Sequence, residues 1–306
     1  MKTKKDASAA SLTKLEKLLR NNIKNPSITW WETTSDDIRK RINDTSPLLS
    51  DDEVNKLWYL NELANTRKSY IEAFCKIKEH QYYQAWCDLE QIEISNARIK
   101  NNQFLRNKSY GVEWLSNTVS NWQSLYPYHL FMSPEMTIGR HECSICGQAI
   151  DPWSSCQHEL GKVYRGKLCY HIAKDVNFHG ISIVKDPVQK YSVPFTSDEE
   201  GNVIDQYDYS LVKFVAERLS SPFDNWDFRR TEAYHSHDLF SNHTPDDGCP
   251  CGSGRQYANC CLTKPGVIRP HISILFDKPP PSSLPNLALA GYGHRMKKML
   301  HNDNIS

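Results

Sequence analysis

Four cysteines fall within the short run Cys249-Pro250-Cys251-Gly252-Ser253-Gly254-Arg255-Gln256-Tyr257-Ala258-Asn259-Cys260-Cys261. Two thiols stand one residue apart, a Gly-Ser-Gly turn follows, and two adjacent thiols close the run. A tetrahedral Zn²⁺ takes thiolates at about 2.3 Å and needs them converging from two backbone segments. Gly252 and Gly254 permit the sharp reversal, because glycine adopts positive φ without steric cost. Tyr257 can then lay its ring over the site. Disulfides fit this spacing poorly, since adjacent cysteines pair badly with each other. The run suits a single zinc.

The same residues carry a resemblance. Cys249, Cys251, Gly252, Ser253, Gly254, Tyr257, Cys260 and Cys261 are arranged as in a SEC-C motif, the small zinc module named from the C-terminal tail of the bacterial preprotein translocase motor. Gln256 stands where a lysine is common, which makes the site less basic without touching the metal. The resemblance implies that Cys249, Cys251, Cys260 and Cys261 are the ligands. It also implies a module that binds other proteins, with ribosome-, chaperone- or translocase-like partners, and has no catalytic role. Arg255, Gln256 and Lys264 are the expected partner-facing side chains. The resemblance covers about a tenth of the chain.

Another cluster, the first in chain order, lies in the middle. Cys143-x-x-Cys146, Cys156-x-His158 and Cys169-x-His171 offer six candidate ligands. Thiolates two residues apart can bite one metal while the intervening N–H groups donate to sulfur, and Gly147 supplies the turn. The second pair is Cys156 with His158 or Cys169 with His171. Cys156 and His158 are preferred, because residues one apart can both face a metal in an extended or turning backbone, and Cys169 and His171 are held in reserve. The two clusters together predict two zinc ions. Cys143, Cys146, Cys156, His158, Gly161, Tyr164, Gly166, Lys167, Leu168 and Cys169 also resemble a zinc segment of tailed-phage structural proteins and prophage-derived chains, which implies a setting near mobile elements or phage conflict and fixes no activity.

Two enzyme patterns come close to these residues. His158-Glu159-Leu160-Gly161 begins like the zinc-protease H-E-x-x-H, but Lys162 occupies the position of the second histidine, so that reading fails. An HNH-like metal-dependent nuclease or nucleic-acid-processing factor centred on residues 141–171 is the alternative function. Against it, Gln157 precedes His158 where a carboxylate or histidine is usual, and no asparagine lies between His158 and Cys169. A histidine spent on zinc cannot act as general base either. No catalytic residue is assigned.

The 37 basic and 36 acidic side chains nearly cancel, so the charge does not indicate nucleic acid as a partner. No apolar run has the length of a membrane span. Lys14, Glu16 and Lys17 interrupt any signal-peptide core, which with the clustered thiols points to the cytoplasm.

The chain reads as α+β. Residues 1–135 are a helical domain, with Leu12, Leu15 and Leu19 on one helical face and a capping box at Ser50-Asp51-Asp52-Glu53. A helical hairpin turns at Glu79-His80-Gln81, similar to one tetratricopeptide unit. Cys75 and Cys87 on these helices are small buried hydrophobes, and Trp114 to Phe131 form an aromatic core stretch. Residues 136–196 form a zinc module with short strands at 180–184 and 190–193. Residues 197–242 hold a linking helix and linker, residues 243–276 the SEC-C-like module, and residues 277–306 a Pro-rich flexible tail. His235, His237 and His243 read as a solvated, histidine-rich stretch. The expected role is a cytoplasmic zinc-binding interaction or adaptor protein.

Overall fold

Leu57, Trp58, Tyr59 and Leu60 are buried in succession, so this turn of helix has no solvent face and must lie inside a helical layer. It belongs to α3 (Asp51–Lys78). The computed structural model describes residues 2–278 apart from 103, 105–109, 152, 154 and 155; the expected Pro-rich tail beyond Lys278 lies outside the described residues. The architecture is α+β, six helices and small antiparallel sheets among the described residues. The chain divides into two units, residues 1–216 with 221–223, and residues 217–220 with 224–306.

In the first unit α3 is set by its ends. The Ser50 hydroxyl accepts the Glu53 N–H at 3.4 Å, and the Glu53 carboxylate accepts the Ser50 N–H at 2.9 Å. This is the capping box the sequence predicts. At the other end His80 is left-handed at φ 64. Its N–H donates to the Ile77 carbonyl at 3.1 Å and the Gln81 N–H to the Lys76 carbonyl at 2.8 Å, a Schellman closure made without glycine. The chain then turns into α4 (Tyr82–Asn101), with α2 (Ile28–Thr45) packed on α3 and α5 (Val112–Leu125) on α4. Trp31, Ile38, Leu60, Leu89, Ile92, Ile99 and Trp122 are fully buried between them. The N-terminal helix α1 (Lys2–Asn21) buries Leu15 and Leu19.

After α5 the chain enters a long antiparallel ribbon of β1 (Phe131–Cys143) and β5 (His171–Val184). It pairs Phe131 with Val184 at one end and Cys143 with His171 at the other, with a bulge between Glu135 and Met136. Strand β2 (Ala149–Ile150) adds to β1 opposite His141 and Glu142 alone. Pro134 therefore sits where one side of β1 needs no ladder bond, the placement a strand proline requires. The expected strand at 180–184 is the end of β5. The expected strand at 190–193 is instead a loop. The buried Glu90 carboxylate accepts the Lys190 N–H at 2.5 Å and the Tyr191 N–H at 2.9 Å, and the Trp86 indole donates to the Lys190 carbonyl at 2.6 Å. A carboxylate on α4 has taken the donors a ladder would use.

A small hairpin, β3 (Val163–Tyr164) with β4 (Lys167–Leu168), lies between the two long strands in sequence. It is tied to the helices by two asparagines. Asn102 donates to the Gly161 carbonyl at 2.6 Å and accepts the Val163 N–H at 3.0 Å, while Asn55 accepts the Gly166 N–H at 2.9 Å. Strands β6 (Thr196–Ser197) and β7 (Val203–Ile204) form a short hairpin, followed by α6 (Ser210–Arg218).

The second unit is built on β8 (Trp226–His235) and β9 (Val267–Phe276), ten residue pairs in unbroken antiparallel register from Trp226–Phe276 to His235–Val267. The second cysteine cluster is carried on the connection between them. The expected strand at 271–276 is the second half of β9. Lys278 pairs with Asp224 at 2.6 Å and Asn225 bonds Asp277 at 2.9 Å, closing the open end.

Candidate metal centres

The second cluster hangs from the closed end of the β8–β9 ribbon. Gly252 and Gly254 have φ of 79 and 73, the positive values that let the chain reverse between Cys251 and Cys260. The Cys249 N–H donates to the Arg255 carbonyl at 2.7 Å and the Gly252 N–H returns to the Cys249 carbonyl at 3.0 Å. The two thiol-bearing segments are thereby brought face to face. Cys251 and Cys260 sulfurs stand 3.6 Å apart, Cys260 and Cys261 4.0 Å. All four donor atoms of Cys249, Cys251, Cys260 and Cys261 lie within 4.8 Å of one another.

Tyr257 forms one wall. It is buried with Cys249, Cys260, Cys261 and Val267, and Phe240 packs on this small core. Its hydroxyl lies 2.5 Å from His237 Nδ1, while His237 Nε2 lies 2.9 Å from the Lys264 carbonyl. His237 is thus a brace that bridges the two sides of the module. This corrects the expectation of a solvated stretch, since nothing local to His237 signals a contact twenty residues away. The Ser253 hydroxyl, set between two ligands, makes a contact to sulfur that ligand spacing alone does not single out. Its Oγ lies 3.2 Å from Cys260 Sγ.

The thiols of this cluster differ. The Ser253 hydroxyl, the neighbouring Cys249 and the Ser253 N–H bring Cys251 down to about 6. Burial pushes Cys261 up to about 11, with the adjacent thiols adding to the effect. Four thiolates this close repel one another, and a divalent cation removes that repulsion.

Residues 247–263 match the SEC-C motif. The match spans all four cysteines and the Gly-Ser-Gly turn. Across the whole chain, no curated protein and no solved structure matches. The SEC-C motif therefore accounts for the second cluster and leaves the rest of the chain to be read from its own residues.

The first cluster begins at the end of β1. The Gly147 N–H closes on the Cys143 carbonyl at 2.8 Å, with Gly147 at φ 74, and the Ile145 N–H points at Cys143 Sγ at 3.4 Å. This is the knuckle expected of Cys-x-x-Cys, with backbone donors on sulfur. Ser144 laces it to the returning strand: its N–H donates to the Tyr170 carbonyl at 3.0 Å and its Oγ accepts the Tyr170 N–H at 2.9 Å. Donor atoms of Cys143, Cys146, Cys156 and His158 lie within 4.8 Å of one another. His158 Nδ1 is buried with no hydrogen-bond partner, and its ring stands edge-on to Tyr164 with centroids 4.7 Å apart.

The reserve pair is split by the fold. Cys169 Sγ lies 3.9 Å from Cys143 Sγ, fully buried. His171 is exposed at the start of β5, its ring 5.9 Å from that of His141. Burial opposes ionisation of Cys143, but the N–H groups of Cys146 and Ile145 and the neighbouring thiols outweigh it and bring it down to about 6. Burial, the Cys143 contact and the nearby thiolate charges push Cys169 up to about 11. Cys169 thus stands against Cys143 as a fifth donor beside the four clustered ones. All ten cysteines are free of disulfides, and among the described residues no helix is long and apolar enough to cross a membrane.

Proposed function

We propose that the chain is a cytoplasmic protein-interaction factor stabilised by two structural zinc ions, one held by Cys249, Cys251, Cys260 and Cys261 and one by Cys143, Cys146, Cys156 and His158. The observation that carries this reading is the donor set of the SEC-C motif. Four converging thiolates complete a tetrahedral zinc and leave no position for an activated water. Zinc fits both clusters because it prefers sulfur and nitrogen donors in tetrahedral array. At the first cluster, the buried unpartnered His158 Nδ1 is the fourth donor, since leaving such an atom unsatisfied costs about 1–3 kcal/mol. The ions supply folding free energy to segments with little core of their own.

Interaction follows from what the SEC-C module exposes. A zinc with four thiolates is an anionic centre that repels hydroxide and phosphate. Arg255 and Lys264 are exposed beside it, where the module's rigid backbone fixes their spacing for an acidic patch on a partner protein. Gln256 is exposed too, but its side-chain oxygen accepts from Asn259 at 3.1 Å, which makes it part of the module's own bracing.

Affinity capture from cells with mass spectrometry tests the reading, comparing wild type, Arg255→Glu/Lys264→Glu and Cys249→Ser/Cys251→Ser. The charge reversal should lose the partner and keep both zinc ions, and the cysteine pair should lose the partner and the SEC-C zinc. Metal-dependent cleavage of DNA or RNA that disappears on His158→Ala or His171→Ala would contradict it.

A further inference from the structure

The β1–β5 ribbon has two unlike faces. Side chains alternate along a strand, and directly paired residues share a face. The register pairs Met132 with Ile183, Pro134 with Ile181, Met136 with Phe178 and Ile138 with Val176. Every one of these is apolar, and they follow one another on a single face. The bulge keeps this face continuous by absorbing the extra residue, His179, whose ring bonds Thr137 at 2.5 Å. The opposite face carries Ser133, Glu135, Thr137, Asn177 and Ser182.

The apolar face is bare. Exposure runs from 37% at Met132 through 62% at Phe178 and Ile181 to 68% at Ile183. No charged side chain interrupts it, and it ends in ion pairs at its metal-proximal end, Arg140 with Asp175 at 2.8 Å and Lys174 with Glu142 at 3.6 Å. An apolar centre with a charged rim is the layout of a protein interface. A two-stranded ribbon is marginal in water unless a further layer covers its hydrophobic side. This one is two-stranded along most of its length, because β2 reaches His141 and Glu142 alone.

We propose that the chain is a homodimer in which the apolar faces of two β1–β5 ribbons pack on each other about a two-fold axis. Area argues for a second copy. At about 150–200 Å² for a fully exposed large apolar residue, the exposed fractions of Met132, Met136, Val176, Phe178, Ile181 and Ile183 amount to roughly 500–650 Å². Doubled by symmetry, this comes to about 1,000–1,300 Å², which reaches the size of about 1,000 Å² that a specific interface needs. An uncharged face also meets its own copy without repulsion, and a two-fold contact requires one self-complementary patch and no second site.

Sedimentation equilibrium of the zinc-loaded full chain over the micromolar range tests this directly. The mass of two chains is expected, falling to one on dilution. Phe178→Glu should raise the dimer dissociation constant by about 100-fold or more, because symmetry places the charge twice at the centre of the interface. Thr137→Glu, on the opposite face, should leave it unchanged. Peroxide footprinting of the wild type reads the same surface without mutation: Met132 and Met136 should be protected at high protein concentration and oxidised on dilution. A monomer throughout the range, a dimer indifferent to Phe178→Glu, or methionines equally oxidised in dimer and monomer would overturn the proposal. Should Phe178→Glu fail to fold, the wild-type methionine protection decides. Protection in a monomer also counts against it, since the cover would then come from the same chain.

Discussion

Cys169 Sγ lies 3.9 Å from Cys143 Sγ, against 3.6 Å between Cys251 and Cys260 in the SEC-C module. The first cluster thus presents five donors for four positions. In the proposed site His158 takes the fourth position and Cys169 supports Cys143 from outside it. His158→Ala should then empty the first site. Cys169→Ser should keep it with affinity weakened about 10–100-fold, the usual cost of losing an outer-shell partner. Metal content by elemental analysis and the cobalt(II) absorption envelope, which separates three-sulfur from four-sulfur coordination, check this. Metal lost in Cys169→Ser and retained in His158→Ala would reverse the assignment.

The asparagine grip on the first cluster makes a separate prediction. Asn102 is buried and holds the Gly161 carbonyl and the Val163 N–H. Asn102→Ala strands both groups and should destabilise the first unit by about 1–3 kcal/mol. Urea unfolding followed by tryptophan fluorescence reads it, and a midpoint equal to wild type would show that the grip contributes nothing.

Part of this was legible. The Ser50–Glu53 box, the Leu15–Leu19 face and the turn at His80 are local, and their residues carry their own signal. So do the two cysteine clusters, because ligand spacing is a short-range constraint. The β1–β5 ribbon was not legible along its length. Pro134 looks like a strand stop unless one knows that the neighbouring edge is unpaired there. The loop at 190–193 has strand-like residues, and what diverts it is Glu90, far away on α4. His237 bracing Tyr257 and Cys169 approaching Cys143 are likewise tertiary facts. In each case a distant side chain takes a donor or fills a gap that sequence pattern assigns to a neighbour.

Removal of metal should act locally. Among the described residues, the SEC-C core is Tyr257, Val267 and the thiols themselves, with Phe240 against them, too little to hold the module alone. Cys260→Ser, or chelation, should therefore abolish amide protection over residues 249–261 while α3 and α4 stay protected. Hydrogen exchange read by mass spectrometry on the full chain checks it. Protection of 249–261 that survives excess chelator would show that the module folds without metal.

Acid should release the metals. Cys143 and Cys251 are brought down from 9.0 to about 6, so their thiolate forms are favoured above that value and lost as pH falls through it. Protons then compete for the sulfurs, and metal affinity declines with falling pH. A chromogenic chelator should report release that grows steadily as the pH is lowered. Release that grows with rising pH instead would show the sign to be wrong.

Zinc stoichiometry decides whether both clusters hold metal. Elemental analysis of full-length protein prepared without chelator should give two zinc ions per chain, falling to one in Cys249→Ser/Cys251→Ser and to one in Cys143→Ser/Cys146→Ser. One zinc or none in the wild type, or a cysteine pair whose loss leaves the count unchanged, would contradict it.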